Sequence, residues 1–151
     1  MTGLFASCVA TPEARWRNPE GAIASTTRFD ADRFEGEWRR VAAFSASFLA
    51  PACPSIRFVR EGAGLRVALC GTGRGEFYAV DPLGRLTQGS GPPLWVLWVD
   101  EGFRTAVIGT PDGSFGWILE RTGSVEQDRL AAAREILAFN GYDPARMTLL
   151  R

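Results

Sequence analysis

The sequence contains no histidine. Histidine is the commonest general base and the commonest metal ligand, so its absence excludes every Ser-His or Cys-His catalytic arrangement. The three cysteines, Cys8, Cys53 and Cys70, form no CxxC pair, which removes the usual composition of a zinc site. The sequence therefore gives no reason to expect a metal, a cofactor or an enzyme built on such a site.

The chain also lacks a charge excess and a long apolar run. Its 17 basic and 17 acidic side chains cancel, so there is no electrostatic reason to expect a nucleic-acid partner. No stretch of about 18 apolar residues is present, and no transmembrane helix is predicted. The length of 151 residues suits one domain that can bury a sizeable core.

The first part of the chain, residues 1–27, is interpreted as an irregular lead-in because Pro12, Pro19 and Gly21 interrupt any periodic pattern. Within it, residues 4–8 (LFASC) resemble the end of a bacterial lipoprotein signal, in which small residues precede a cysteine that becomes lipid-modified. Two alternatives stay open: Cys8 is a lipidation site at a remnant of such a signal, or the likeness is coincidental.

From residue 28 onward, short apolar segments alternate with turn clusters rich in glycine, proline and aspartate. This spacing predicts eight strands, at residues 37–46, 54–60, 65–70, 76–80, 85–88, 94–99, 103–109 and 115–121. Short strands joined by short turns predict an antiparallel barrel or sandwich. The strand at 94–99 is apolar on both faces, so its second face needs a cover.

The predicted cover is a helix that follows the eighth strand. Ser124 and Gln127 are spaced as a capping box, and the helix is expected to run to about Phe139. Its apolar stripe consists of Leu130, Ala133 and Leu137. Gly141 provides a left-handed stop, and residues 147–150 are predicted to form a short final strand.

Three segments resemble the sequence motifs of the lipocalins. Residues 29–38 (FDADRFEGEW) resemble the entrance motif, in which Gly-x-Trp opens the first strand. Residues 95–108 (WVLWVDEGFRTAVI) resemble the second motif, and residues 115–122 (FGWILERT) resemble the third, in which an arginine ends the last strand. The chain is most similar to the bacterial outer-membrane lipocalins, the subgroup similar to apolipoprotein D.

This resemblance implies an all-β fold: an eight-stranded antiparallel up-and-down barrel with one C-terminal helix packed outside and a short final strand. The lipocalin-like barrel domain is expected to span residues 28–151. The segment 71–93 is shorter than the fourth and fifth strands of the family require. A small barrel can be filled by its own side chains, so the depth of any cavity is left open.

Three motif residues have a structural interpretation. Gly36 allows the chain to bend where it enters the barrel. Trp38 is expected to plug the closed end. Arg121, at the end of the last strand, is expected to stack on the Trp38 ring and to donate to backbone carbonyls near the N-terminus.

Six aromatic residues are candidates for lining a ligand cavity: Phe58, Phe77, Tyr78, Trp95, Trp98 and Trp117. Because side chains alternate along a strand, about half of them must point away from the interior. A slip of one residue exchanges the two faces, so the sequence does not identify which half lines the cavity.

Cys53 and Cys70 flank the hairpin of the second and third strands. If its turn is centred on residues 62–63, residue 60 faces residue 65. The two cysteines are then one diagonal step apart. A bend at Pro54 would bring them within the Cα spacing of ~5.5–6 Å that a disulfide favours. The prediction is a Cys53–Cys70 disulfide, with Cys8 left for lipidation or as a free thiol.

Several arginines have two open interpretations: they gather an anionic head group near the barrel mouth, or they form a solvated outer face. These arginines are Arg39, Arg40, Arg57, Arg60, Arg66, Arg74 and Arg85.

The resemblance implies binding, storage or transport of a hydrophobic small molecule, a fatty acid or a lysophospholipid. It also implies a place in the bacterial cell envelope, at the outer membrane or in the periplasm, with possible membrane attachment through a lipid anchor on Cys8. The main alternative is an envelope structural or interaction protein with a filled barrel. An acyl-transfer enzyme using a cysteine or a carboxylate is disfavoured because no nucleophile–base pair is evident.

Overall fold

The computed structural model describes residues 15–44, 54–71 and 73–150. Its helices are α1 (Ala31–Phe34) and α2 (Gln127–Phe139), followed by a 3₁₀ turn (Pro144–Arg146). Its strands are β1 (Gly36–Phe44), β2 (Ser55–Glu61), β3 (Gly64–Leu69), β4 (Glu76–Val80), β5 (Arg85–Thr87), β6 (Leu94–Val99), β7 (Thr105–Gly109), β8 (Gly116–Glu120) and β9 (Thr148–Leu149). Each predicted strand is present, close to its predicted bounds.

The eight strands β1 to β8 close into an antiparallel up-and-down barrel. Each strand pairs with the next along the chain, and β1 pairs with both β2 and β8. The β2–β3 register pairs Arg60 with Leu65, as predicted. Strand β9 adds to β1 opposite Ala42 and Ala43. The barrel, the single helix outside it and the short final strand are therefore confirmed.

Apolar side chains form two layers. One fills the barrel and includes Phe34, Trp38, Phe58, Leu65 and Leu119. The other lies between the barrel wall and α2 and consists of Ala42, Phe44, Leu97, Val107, Ile118, Ala133, Leu137 and Tyr142. Helix α2 is thus the cover that the doubly apolar strand β6 requires.

Two register shifts change which side chains face inward. The shift in β6 lies between Val96 and Trp98, and both Leu97 and Trp98 join the outer layer. The shift in β1 lies between Arg40 and Ala42, and Val41 packs with Ala42 in the outer layer. A β-bulge places two consecutive residues on the same face. Strict alternation along the sequence therefore does not predict where these two bulges occur.

The predicted capping box is wrong. Helix α2 begins at Gln127, its N-cap is Glu126, and no side chain caps it. The Ser124 carbonyl instead accepts a hydrogen bond from Thr122 Oγ1 at 3.0 Å, within the turn that leaves β8. The first turn is anchored by the buried Arg129, whose guanidinium contacts Glu126 at 2.9 Å and Glu120 at 3.5 Å. This buried ion pair positions the helix start on the barrel wall.

The helix ends as predicted, and the lead-in is fastened to its end. Gly141 adopts φ +84°, and the Tyr142 amide donates to the Leu137 carbonyl at 3.0 Å. Arg17, from the lead-in, is buried and donates to the carbonyls of Asn140 (2.8 Å) and Pro111 (2.5 Å). Because these partners lie just after the C-terminal end of α2 and in the β7–β8 loop, Arg17 ties both to the chain that precedes the barrel.

Candidate functional site

One end of the barrel is closed by side chains of α1 and of the barrel strands. The Trp38 indole is buried, and its Nε1 donates to the Phe34 carbonyl at 2.8 Å. Arg121 lies over it, with Cζ 4.1 Å from the ring centroid. Gly36 has φ +122°, and a Cβ there would meet Arg121 Nη1 at 2.8 Å, so the bend and the close approach both favour glycine.

The opposite end holds a cavity of about 670 Å³. Its walls come from the ends of β3, β4, β6 and β8 and from the loops beside them, and its largest lining side chains are Tyr78, Leu94, Phe115 and Trp117. The volume lies within the range of roughly 300–1,000 Å³ typical of small-molecule sites. The residues present therefore leave room for a ligand at the open end.

The cavity occupies only part of the barrel. On β8 the interior side chains follow the order Phe115, Trp117, Leu119 from the open end, and only the first two line the cavity. Below Trp117, the interior is filled by Leu119 and by the cluster around Trp38. The barrel is consequently filled by side chains in its closed half and open in the other half. The cavity therefore extends only part of the way along the barrel.

The six aromatic candidates divide accordingly. Tyr78 and Trp117 line the cavity. Phe58 faces inward but lies deeper, with its ring 4.9 Å from that of Phe34. Trp95 and Trp98 pack in the outer layer.

Phe77 also does not line this cavity. It stands between two lining residues on β4, is 41% exposed and pairs across the sheet with Arg66. Strand alternation therefore excludes Phe77 and Trp95, the β6 bulge excludes Trp98, and depth excludes Phe58.

Trp117 carries an unsatisfied donor. It is 4% exposed, and its Nε1 has no hydrogen-bond partner among the residues that the structure describes. A buried donor without a partner costs ~1–3 kcal/mol. An acceptor oxygen of a ligand at this level of the barrel would relieve that cost.

Arg40 is the one arginine of the predicted group that faces the interior. It is 1% exposed, pairs with Leu119 across the sheet and lies with Cζ 5.1 Å from the Trp117 ring centroid. Burial lowers the pKa of Arg40 to about 10, so it remains cationic at neutral pH. It does not line the cavity, because the Trp117 ring lies above it.

Other members of the arginine group occupy the outer face, as one interpretation anticipated. Arg57 pairs with Glu37 at 3.9 Å, Arg60 with Asp32 at 3.5 Å, and Arg66 with Glu61. Arg85 stacks on Trp95 at 4.4 Å. These contacts use the guanidinium groups on the outside of the barrel wall.

Sequence reasoning missed the polar groups of the cavity mouth. Glu76 and Asp112 both line the cavity and are exposed to solvent. Tyr78 accepts a hydrogen bond from Gln88 Nε2 at 3.0 Å, and burial together with the charge of Glu76 raises its pKa. The alternation along β4 already places Glu76 and Tyr78 on one face. Only the strand register shows that this face points into the cavity.

The described parts of the chain contain no group of three or more His, Cys, Asp or Glu residues placed to hold a metal ion. Among the same residues, no helix is both long enough and apolar enough to cross a membrane. The Cys70 amide donates to the Ser55 carbonyl at 2.9 Å, as the hairpin register requires. Cys8 and Cys53 lie outside the described residues, so lipidation and the disulfide stay predictions.

The sequence is similar to known proteins over part of its length. Residues 82–150 match the family model of the lipocalin-like domain. Over 53 residues the chain is 36% identical to temperature-induced lipocalin-1 of Arabidopsis thaliana, a match that covers 35% of this chain and 28% of that protein. The match therefore spans well under two thirds of the plant protein.

Solved structures extend the likeness over the whole barrel. The cockroach allergen Per a 4 superposes with a TM-score of 0.65 at 15% identity, covering 86% of this chain and 92% of the allergen. Insecticyanin of the tobacco hornworm Manduca sexta superposes with a TM-score of 0.56 at 16% identity, covering 87% and 85%. Residues 82–150 are thus similar to the lipocalin-like domain, and the solved structures show the same fold over the whole barrel.

Proposed function

We propose that this protein binds and carries a hydrophobic small molecule, a fatty acid or a lysophospholipid, in the cavity at the open end of the barrel. The observation that carries the proposal is the cavity of about 670 Å³ with Tyr78 and Trp117 in its wall. Lipocalins generally bind small hydrophobic ligands and are mostly binding or transport proteins. The open half of this barrel supports the same use here.

The energetics of such binding are adequate. Each methylene removed from water contributes about 0.8 kcal/mol. Micromolar affinity requires about 8 kcal/mol, so roughly ten buried methylenes supply it before ordering costs are subtracted. No covalent step is required.

The open half of the barrel disfavours the alternative of a filled-barrel interaction protein. The polar groups around the cavity disfavour an enzyme, because none of them forms a nucleophile–base pair. Ser114 is the hydroxyl nearest to a carboxylate at the mouth, and its Oγ donates to Asp112 Oδ1 at 2.8 Å. The Ser114 amide donates to the same oxygen at 2.9 Å. This double contact is a local turn between residues two apart, at an exposed site, and a carboxylate alone is a poor base for a hydroxyl.

We also propose a place in the bacterial cell envelope, with attachment through lipid on Cys8, as for the outer-membrane lipocalins that the three motifs resemble. The support is the resemblance of residues 4–8 to a lipoprotein signal. Expression of the chain from its natural gene, followed by intact-mass measurement of the membrane fraction, tests this. The expected mass is that of a chain cleaved before Cys8, with a diacylglyceryl group on the Cys8 thiol and an acyl group on its freed amino group; an unmodified Cys8 would contradict the anchor.

The test of ligand carriage is native mass spectrometry of freshly purified protein, followed by extraction and identification of any bound lipid. Val67, which lines the cavity, provides a blocking variant, Val67→Trp. Val59, which is 42% exposed, provides the matched control, Val59→Trp. We expect a bound single-chain lipid in the natural protein and in the control, and its loss in the blocking variant.

Equal lipid content in both variants would show that the lipid binds elsewhere. Unfolding curves of both variants establish that they fold. If neither the natural protein nor the control retains lipid or takes up added lipid, the carrier proposal is wrong and the interaction protein is favoured.

A further inference from the structure

The wall of the cavity contains a buried hydrogen-bond donor without an acceptor. Of the described residues that line the cavity, Trp117 alone carries a buried side-chain nitrogen or oxygen that has no hydrogen-bond partner. The residue is 4% exposed, so bulk water does not serve its Nε1–H instead. Because an unpaired buried donor is costly, this position favours a bound molecule that supplies an acceptor.

Both faces of the Trp117 ring are covered. Phe115, on the side of the open end, stacks on it with 4.8 Å between the ring centroids and 30° between the planes. Arg40, which pairs with Leu119 deeper in the barrel, lies with Cζ 5.1 Å from the Trp117 centroid. The ring therefore meets the cavity with its edge. The Nε1–H bond lies in the ring plane and belongs to that edge, so neither stacked neighbour takes it up.

Tyr78 supplies a second donor of the same kind. It lines the cavity, it is buried, and its hydroxyl oxygen accepts a hydrogen bond from Gln88 Nε2 at 3.0 Å. That bond uses the oxygen and leaves the hydroxyl proton for donation. Burial and, after it, the charge of Glu76 raise the pKa of Tyr78, so the phenol keeps its proton at neutral pH. Tyr78 and Trp117 are the buried polar side chains among the described residues that line the cavity, and both are neutral donors.

The chemistry of these donors determines which ligand atom fits beside them. A carbonyl oxygen accepts hydrogen bonds and loses only modest hydration on burial, whereas a carboxylate loses a much larger hydration energy that neutral donors do not return. A hydrocarbon offers no acceptor. An uncharged carbonyl oxygen is therefore the group that suits this part of the wall, with the apolar remainder of the ligand against Leu94 and Phe115.

We infer that the cavity binds a hydrophobic molecule with an uncharged carbonyl oxygen, as in a ketone or an ester, in the part that enters the barrel, and that Trp117 Nε1–H donates to this oxygen. This inference rests on the proposed function and refines it: a chain that carries a buried carbonyl is preferred to a plain saturated chain of the same size.

Two volatile probes of the same shape isolate the carbonyl oxygen. One is methyl heptyl ketone, and the other is its isostere in which a methylidene group replaces the carbonyl oxygen. Gas chromatography of the headspace measures the free concentration of each probe and hence both dissociation constants. Because the isostere gains more than the ketone from leaving water, the informative quantity is the ratio of the two constants, compared between protein variants.

The variants remove the donor at Trp117 in two ways. Replacement of Trp117 by benzothienylalanine puts sulfur in place of the Nε1–H group and keeps the shape of the ring. It should weaken ketone binding about tenfold relative to the isostere, equivalent to ~1.4 kcal/mol, and Trp117→Phe should change the ratio in the same direction. Trp98→Phe, in the outer layer, is the matched control and should keep the natural ratio.

The natural protein gives an independent readout by nuclear magnetic resonance. Each of its five tryptophans contributes one indole N–H signal, and the signal of Trp117 is identified by its absence in Trp117→Phe. The ketone should move this signal downfield because the proton enters a hydrogen bond, and the isostere should not. This readout does not depend on how well any variant folds.

Failure of the inference and failure of the carrier function give different results. If both probes bind, but the ratio is unchanged by the two substitutions at Trp117 and the ketone leaves the Trp117 signal where the isostere does, the inference is overturned while the carrier function stands. If neither probe binds, the carrier function itself fails, and the inference fails with it.

Discussion

The Arg121 guanidinium lies over the Trp38 ring, with Cζ 4.1 Å from the centroid, and at the same time donates to two backbone carbonyls. Its Nε contacts the Phe103 carbonyl at 2.9 Å and its Nη2 the Arg33 carbonyl at 2.5 Å. One side chain thereby joins the β6–β7 turn, helix α1 and the indole of β1. This arrangement closes the barrel end opposite the cavity.

Substitution at this closed end should be costly and non-additive. Trp38→Ala should lower the free energy of unfolding by roughly 3–5 kcal/mol, as large aromatic deletions do. Arg121→Ala should cost less, and the double variant should cost less than the sum, because each single change already removes the stacking. Arg121→Lys should recover only part of the loss, since an ammonium lacks the planar fork. Urea unfolding of the four variants measures this, and additive losses would contradict the stacking.

The β6–β7 turn should give the fold a dependence on acidic pH. Asp100 is buried, which alone would raise its pKa, but hydrogen bonds from the amides of Thr105 (2.7 Å) and Arg104 (2.5 Å) and the Arg104 guanidinium together lower it. A carboxyl whose pKa is lowered by folding stabilises the fold above its ordinary pKa of ~3.9 and loses that contribution as the pH falls below it.

Asp100→Asn should therefore destabilise the protein by roughly 1–3 kcal/mol at neutral pH, the usual cost of losing hydrogen bonds to a charged group. The difference from the natural protein should shrink at pH values below about 4. Asp32→Asn is the control, because the Asp32 side chain is 82% exposed. Denaturant unfolding across this pH range checks the prediction, and a difference independent of pH would count against it.

Tryptophan fluorescence should report ligand binding through one residue. Of Trp95, Trp98 and Trp117, only Trp117 lines the cavity. Trp117→Phe should therefore remove most of the ligand-induced change in emission while calorimetry still detects binding. Trp98→Phe, in the outer layer, should keep the change. A change that persists without Trp117 and disappears without Trp98 would place the ligand outside the barrel.

The cysteine prediction has a direct chemical test. The β2–β3 register places Cys70 opposite Ser55, which leaves Cys53 two residues along the chain from that pair. Alkylation without reductant, followed by intact-mass and peptide analysis, should leave Cys53 and Cys70 unlabelled and, in protein without lipid, label Cys8. Labelling of all three cysteines would remove the disulfide and with it the argument for an oxidising compartment.

The strands and the closed end could be predicted from the sequence because local rules determine them. The Gly/Pro/Asp turn clusters mark the strand ends. Gly36 opens the first strand, Trp38 follows it, and Arg121 comes directly after the last strand. These residues meet because the first and last strands are neighbours once the barrel closes. The hairpin register followed from its two-residue turn.

The cavity and the helix start could not be predicted in the same way. The bulge of β6 decides that Trp98 faces outward, and the bulge of β1 decides that Ala42 joins the outer layer; both depend on pairing across the barrel. Arg129 positions the helix start through Glu120, a contact between distant parts of the fold that overrides the local capping pattern of Ser124. The mouth carboxylates likewise come from separate parts of the chain: Glu76 begins β4 and Asp112 lies in the β7–β8 loop, and only the closed barrel brings them to one cavity.

The central claim is that the open half of the barrel takes up an apolar chain, and a chain-length series of straight-chain alcohols tests it most directly. Alcohols carry no charge, so head effects at the mouth do not contribute. Affinity should rise about fourfold for each added methylene, the equivalent of ~0.8 kcal/mol, and then level off when the cavity of about 670 Å³ is full. Saturable binding should be accompanied by a change in Trp117 emission. No saturable binding at any length, with unchanged tryptophan emission, would contradict the account.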